Sequence, residues 1–184
     1  ISMENSKPVV RMDKFQVFGG TPLQGTVEIS GSKNAALPLM VAALLASGKT
    51  ILKNVPRLND IMFLKQVLEY LGVKMDYSRE THTLEIDVPD SFGTEAPYDL
   101  VRKMRASVYV LGPMIARMKK AKVSLPGGCT IGPRPIDLHL RGFEALGTEI
   151  SIEHGYVVAE VAELKGGEVF LEGAFGTSVG ATCN

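Results

Sequence analysis

The chain has 184 residues, 45% of them hydrophobic and 22% charged, the balance of a folded globular protein rather than a disordered one. Twenty basic and twenty acidic residues cancel, so no global field draws nucleic acid or an anionic membrane, and any anion site must come from local clusters. Two cysteines, one mid-chain and one at the second-last position, make no disulfide framework and point to a reducing, cytoplasmic setting.

Residues 1–11 are polar, include Pro8 and show no signal peptide; they are expected to be a leader or expression remnant, with the folded chain starting near Met12 or Lys14. The longest apolar stretch is 35–46, twelve residues interrupted by Pro38. It is too short to span a bilayer and predicts a buried helix, capped by Ser30 or Ser32. A strand is expected at 50–55, after which Pro56-Arg57-Leu58-Asn59-Asp60 opens a second helix. Ile61, Leu64, Val67, Leu68 and Leu71 recur there at helical spacing, and Gly72 supplies the stop. Strands at 73–77 and 83–88 follow, joined by a polar turn.

The same grammar then returns. Arg105-Ala106-Ser107 opens an apolar helix through Val110, Leu111 and Ile115, with the basic run 117–122 read as its solvated end. A strand at 123–125 leads into a loop, and Arg134-Pro135-Ile136-Asp137 opens a helix that stops at Leu146-Gly147. Strands at 148–152 and 156–161 turn at His154-Gly155. A further copy begins at Gly167-Glu168-Val169-Phe170-Leu171 and reaches Ser178-Val179-Gly180, where its first helix would start. Each unit reads βαβαββ. The expected architecture is therefore α/β (α+β), with two full repeats at about 24–90 and 100–162 and a partial third at 163–184, an incomplete domain over 12–184. Apolar surface left uncovered by the partial unit would favour self-association.

Chemistry concentrates at two places. Ile29-Ser30-Gly31-Ser32-Lys33-Asn34 joins small residues, free backbone N–H groups and a lysine at a helix start, a sensible anion site. An ordinary capped helix with a solvated lysine would carry the same residues. Arg105 holds the corresponding place in the second repeat. The second place is Leu125-Pro126-Gly127-Gly128-Cys129-Thr130-Ile131-Gly132-Pro133-Arg134-Pro135, where three glycines and three prolines exclude a helix or central strand. Cys129 is either a small buried hydrophobe or, with Arg134 nearby, a reactive thiol. His82, His139 and His154 lack metal-ligand spacing, and no zinc site is expected. No Gly-Lys-Ser/Thr follows the glycines, so the loop is not a nucleotide-binding P-loop.

Ser30-Gly31-Ser32-Lys33-Asn34-Ala35-Ala36, Met104-Arg105-Ala106-Ser107 and the cysteine loop together resemble the UDP-N-acetylglucosamine 1-carboxyvinyltransferases of the enolpyruvyl transferase family. The resemblance runs from about Met12 to Gly180. It implies part of an inside-out α/β barrel of repeated βαβαββ units, and transfer of enolpyruvate from phosphoenolpyruvate to the 3′-hydroxyl of UDP-N-acetylglucosamine with release of phosphate. That reaction begins peptidoglycan synthesis, and with it cell wall biogenesis, cell shape, division and cycle. It implies a cytoplasmic enzyme without metal or organic cofactor, inactivated by fosfomycin at the loop cysteine, with no nucleic-acid or membrane partner.

By the same resemblance Cys129 is the general acid. Lys33, Asn34, Arg105 and Arg134 bind phosphoenolpyruvate. Arg105, Pro135, Ile136, Asp137, Leu138, Ser178, Val179 and Gly180 line the nucleotide-sugar site, and Asp60 responds to domain closure. Family members are more than twice as long, so a second, C-terminal domain carrying the base for the sugar hydroxyl is implied as the missing partner, and this chain alone is expected to be inactive. A non-catalytic binding or assembly domain is the alternative, followed by a shikimate-pathway enolpyruvyl transferase, which lacks the cysteine loop.

Overall fold

The computed structural model describes residues 14–101, 105–125 and 136–171, the last two pieces flanking the cysteine loop. The first helix, α1, spans Lys33–Ala42. Of the two candidate caps Ser32 serves: its extended backbone (φ −88°, ψ 129°) precedes the helix, and its Oγ accepts from the Ala35 amide at 3.4 Å. Pro38 lies inside α1, which nonetheless continues and tightens into a 3₁₀ turn at Ala43–Leu45.

Strand β1 (Gly48–Leu52) follows, then α2 (Asn59–Tyr70), β2 (Lys74–Ser78) and β3 (Thr83–Val88). These strands form an antiparallel sheet ordered β1-β3-β2, with Ile86 opposite both Thr50 and Met75. The expected strand at 50–55 thus sits earlier, because Asn54 turns the chain with φ 55°. Alternation buries Leu84, Ile86 and Val88 beneath the sheet, while α2 faces it with Ile61, Leu64, Val67 and Leu68.

The second unit opens with the two-residue β4 (Glu95–Ala96) and α3 (Tyr98–Val101). A composite helix comes next: a 3₁₀ segment Arg105–Val110, a single turn α4 (Leu111–Pro113) and a π segment Met114–Met118. Sequence periodicity suggested one regular helix here. Gly112-Pro113 prevents it, since proline lacks the N–H that the ladder needs and its ring crowds the preceding turn. Strand β5 (Lys120–Ser124), α5 (Asp137–Ala145), β6 (Glu149–Glu153) and β7 (Tyr156–Glu160) complete the unit. Its sheet is ordered β4-β5-β7-β6, and β4 runs parallel to β5.

Helix–strand–helix–hairpin therefore occurs twice, and both second helices end alike. Around Gly72 (φ 98°) the Gly72 amide donates to the Glu69 carbonyl at 3.0 Å and Val73 to Leu68 at 3.1 Å. Around Gly147 (φ 91°) the Gly147 amide donates to Glu144 at 2.9 Å and Thr148 to Phe143 at 3.1 Å. This paired 5→2 and 6→1 pattern is the Schellman motif, whose left-handed backbone sets a Cβ against the neighbouring carbonyl oxygen and so favours glycine. Gly72→Ala is expected to cost about 1–2 kcal/mol, the left-handed penalty; urea unfolding with an unchanged m-value measures it.

Two expectations are corrected. The opening strand of the first βαβαββ unit is not formed within 14–32, where Val17, Leu23, Val27 and Ile29 are exposed and pair with no strand among the described residues, so β1 there pairs with β3 alone. The run 117–122 ends the helix only as far as Lys119, whose left-handed backbone (φ 62°) stops it, and from Lys120 it is strand. Lys120 and Lys122 project from β5 on its exposed side while Ala121 and Val123 are buried. Arg117 donates to the carbonyls of Leu44 (2.9 Å), Pro89 (3.2 Å) and Asp90 (2.9 Å) and lies 5.3 Å over Phe92. It ties the composite helix of the second unit to the first. A single apolar core crosses both units, with Met40, Leu44, Leu68, Ile86, Leu111 and Met114 essentially inaccessible.

Candidate anion-binding site

At the start of α1 the first intrahelical bond runs from the Ala36 amide to the Ser32 carbonyl at 3.0 Å. The amides before it have no partner within the helix, and the helix dipole adds partial positive charge there. Lys33 contributes a full charge. Its Nζ reaches Asp60 Oδ2 at 2.7 Å, joining the first turns of α1 and α2. The two side chains are 42% and 39% exposed. At such exposure an ion pair is worth about 0–1 kcal/mol. Asp60 therefore orients Lys33 without locking it, and a doubly charged anion at the helix start can compete for the ammonium.

The α1 start rests on the loop after β1. Gly31 donates its amide to Asn54 Oδ1 at 3.0 Å, and a Cβ at position 31 would lie 1.6 Å from the Asn54 carbonyl oxygen. The loop is itself held from the other side. Val55, which is buried, donates its amide to the His82 carbonyl at 2.8 Å, and the Tyr77 hydroxyl donates to the Val55 carbonyl at 2.9 Å.

Lys33 and Asn34 thus occupy the first turn of α1, Lys33 half-buried and Asn34 exposed. Arg105 begins the composite helix, which packs against α1. Ile136 is the buried residue before α5, and Asp137 and Leu138 form its first turn, Asp137 exposed. Cys129, Arg134, Pro135, Ser178, Val179 and Gly180 lie outside the described residues, as does the Arg105 side chain. The cysteine loop springs from Leu125, whose amide donates to the Gly155 carbonyl at 2.8 Å, and returns at Ile136. Lys33 and Asp60 are the pair the fold visibly brings together. Asn54, Tyr77 and His82 were missed; the signal was an asparagine between a strand and a proline, a common turn residue.

A separate cavity of about 330 Å³ lies along the later part of α1, walled by Val41, Leu45, Tyr109, Pro113, Phe143 and Leu164 among others. It is apolar and distinct from the helix start that carries Lys33.

Comparison with known proteins bears on this arrangement. Residues 17–184 match the family model described as EPSP synthase (3-phosphoshikimate 1-carboxyvinyltransferase). A UDP-N-acetylglucosamine 1-carboxyvinyltransferase from Desulfatibacillum aliphaticivorans is 53% identical over 161 residues, 88% of this chain and 38% of the relative. One from Chloroherpeton thalassium is 51% identical over 176 residues, 94% of this chain and 40% of the relative. The chain thus spans about two fifths of the length of these relatives. Among solved structures, the enolpyruvyl transferase NikO from Streptomyces tendae superposes with a TM-score of 0.66 at 24% identity, covering 80% of this chain and 32% of that one. EPSP synthase from Acinetobacter baumannii gives 0.61 at 16% identity, covering 82% and 35%. These structures share the fold, and with the family model spanning nearly every residue from 17 onward, the chain belongs to the EPSP synthase family of enolpyruvyl transferases.

Proposed function

We propose that this chain is part of a UDP-N-acetylglucosamine 1-carboxyvinyltransferase, which moves enolpyruvate from phosphoenolpyruvate to the 3′-hydroxyl of the nucleotide sugar and releases phosphate. The observation that carries the reading is identity of 51–53% to relatives bearing that name, across about nine tenths of this chain. The family model alone would leave 3-phosphoshikimate as acceptor; the solved EPSP synthase, at 16% identity, is far more distant.

In this reading phosphoenolpyruvate, with its phosphate and carboxylate, lies among Lys33, Asn34, Arg105 and Arg134, where guanidinium forks suit its oxygens. Arg105, Pro135, Ile136, Asp137, Leu138, Ser178, Val179 and Gly180 line the sugar-nucleotide side. Cys129 gives its thiol proton to the methylene carbon as the 3′-oxygen bonds to the adjacent carbon. The hydroxyl proton passes to a base supplied by a further domain. The methyl carbon then returns a proton while the carbon–oxygen bond to phosphate breaks, which restores the double bond and frees phosphate. Neither step calls on a metal or organic cofactor. Fosfomycin would alkylate the same thiol, its epoxide opening on attack by sulfur. The setting is the cytoplasm and the pathway cell wall biogenesis; among the described residues no helix is long and apolar enough to cross a membrane.

The test is phosphate release by the full-length protein that contains this chain, with UDP-N-acetylglucosamine and 3-phosphoshikimate as alternative acceptors. Turnover with the nucleotide sugar alone is expected; turnover with 3-phosphoshikimate would overturn the assignment. The present 184 residues alone are expected to release none. They are also expected to self-associate, because Leu45 is about half exposed at the apolar cavity and Phe15, Phe18 and Leu23 are almost wholly exposed. Sedimentation velocity across a concentration series checks this, and a concentration-independent monomer would refute it.

A further inference from the structure

We propose that Asn54 is a positioning residue for phosphoenolpyruvate: its side-chain oxygen fixes the Gly31 amide and so sets where the start of α1 presents Lys33 and Asn34. The inference rests on the function proposed above and goes beyond it by naming the residue that holds the anion-binding end of the helix.

Among the described residues, Asn54 hydrogen-bonds neither Lys33 nor Asn34. Its Oδ1 accepts from Gly31 at 3.0 Å, immediately before the capping Ser32. Asparagine is also among the few residues that tolerate the left-handed backbone found here, φ 55°. That backbone brings the Asn54 carbonyl so close to Gly31 that the two segments can approach only in this register. The far side of the loop is anchored to the β2–β3 turn: Val55 bonds His82, and Tyr77 bonds Val55 while its hydroxyl also lies 3.2 Å from His82 Nδ1. A continuous line of bonds therefore runs from the β2–β3 hairpin to the residue that precedes the α1 cap. The same loop continues into α2, whose first turn carries Asp60, the partner of Lys33. Through one loop, Asn54 sets the helix end directly and stands six residues before the group that orients the lysine. None of these contacts reaches α5, whose start carries Ile136, Asp137 and Leu138. Among the described sugar-side residues only Arg105 stands on an element that packs against α1, so the nucleotide sugar should sense the change far less than phosphoenolpyruvate.

The experiment separates hydrogen bond from backbone strain in the full-length protein. Asn54→Gly keeps the left-handed conformation and loses the acceptor; Asn54→Ala loses both. Binding of phosphoenolpyruvate and of UDP-N-acetylglucosamine is measured by calorimetry, KM and kcat by phosphate release, and thermal midpoints alongside. One lost hydrogen bond corresponds to roughly a three- to tenfold weakening. Both variants are expected to weaken phosphoenolpyruvate binding by that same factor and to leave the nucleotide sugar nearly unchanged, although Asn54→Ala, which adds the left-handed backbone penalty to the lost bond, loses more thermal stability than Asn54→Gly. A merely structural role predicts affinity that follows the midpoint, so that Asn54→Ala weakens binding clearly more than Asn54→Gly. That result, or equal weakening of both substrates, overturns the inference. Lys33→Ala is run in parallel. If it too leaves phosphoenolpyruvate binding unchanged, the functional reading fails and this inference with it. If it weakens binding while Asn54→Gly does not, only the inference fails.

Discussion

Cys129→Ala in the full-length protein is expected to lower kcat by roughly 10²–10⁴-fold, the range a positioned general acid contributes, while leaving the KM for phosphoenolpyruvate within a few-fold of wild type. The asymmetry follows from the division of labour proposed here. Cations hold the substrate in ground state and transition state alike, so removing one raises KM. A proton donor acts only as the new carbon–hydrogen bond forms, so removing it lowers kcat. Arg134→Ala is the contrasting variant. Loss of a charge-assisted bond, worth about 1.5–3 kcal/mol, corresponds to a weakening of roughly ten- to hundredfold in phosphoenolpyruvate affinity. Phosphate-release kinetics across both substrate concentrations separate the two. Exchange of solvent deuterium into the methylene of recovered phosphoenolpyruvate gives an independent readout of the proton step, and the alanine variant at Cys129 should lose it. A variant that keeps kcat within tenfold of wild type and still exchanges deuterium would remove Cys129 from the role of acid.

What could be read beforehand divides along physical lines. Local, contiguous signals were legible. Ser32, Gly72 and Gly147 mark helix ends because capping and left-handed termini are decided within a few residues. The hairpin strands, with their period of two, were legible within a residue or so. The Lys33–Asp60 pairing spans 27 positions and depends on two helix starts meeting, which no local pattern encodes. The Asn54–Gly31 bond spans 23 and depends on a left-handed turn after β1. The basic run 117–122 misled because Lys and Arg suit a helix end, yet the alternation Lys120-Ala121-Lys122-Val123 was already that of a half-buried strand. Gly112-Pro113 likewise announced a broken helix. The roles of the loop and of Ser178, Val179 and Gly180 rest on the resemblance, and those residues lie outside the described portion.

Gly31→Ala is expected to have the largest effect on stability among single changes near the site. The added methyl would stand 1.6 Å from the Asn54 carbonyl oxygen and 2.8 Å from its carbon, distances that no side-chain adjustment can relieve because both atoms are backbone. Pro56, with its Cδ 3.0 Å away, closes the third side. Either α1 must withdraw or the loop must move, and the loop is held by Val55 and Tyr77. Overpacking of this kind costs about 1–3 kcal/mol, and loss of the Gly31–Asn54 bond adds about 1 kcal/mol. A fall of about 10 °C in thermal midpoint is the corresponding scale for a domain of this size. The site should suffer beyond the stability loss, because the displaced segment is the one that aims the free amides and Lys33. Phosphoenolpyruvate binding, measured well below the midpoint, should weaken more in Gly31→Ala than in Asn54→Gly, since steric displacement moves the helix start further than a missing bond does. Equal stability of Gly31→Ala and wild type would mean that the helix start and the Asn54 loop do not touch as described.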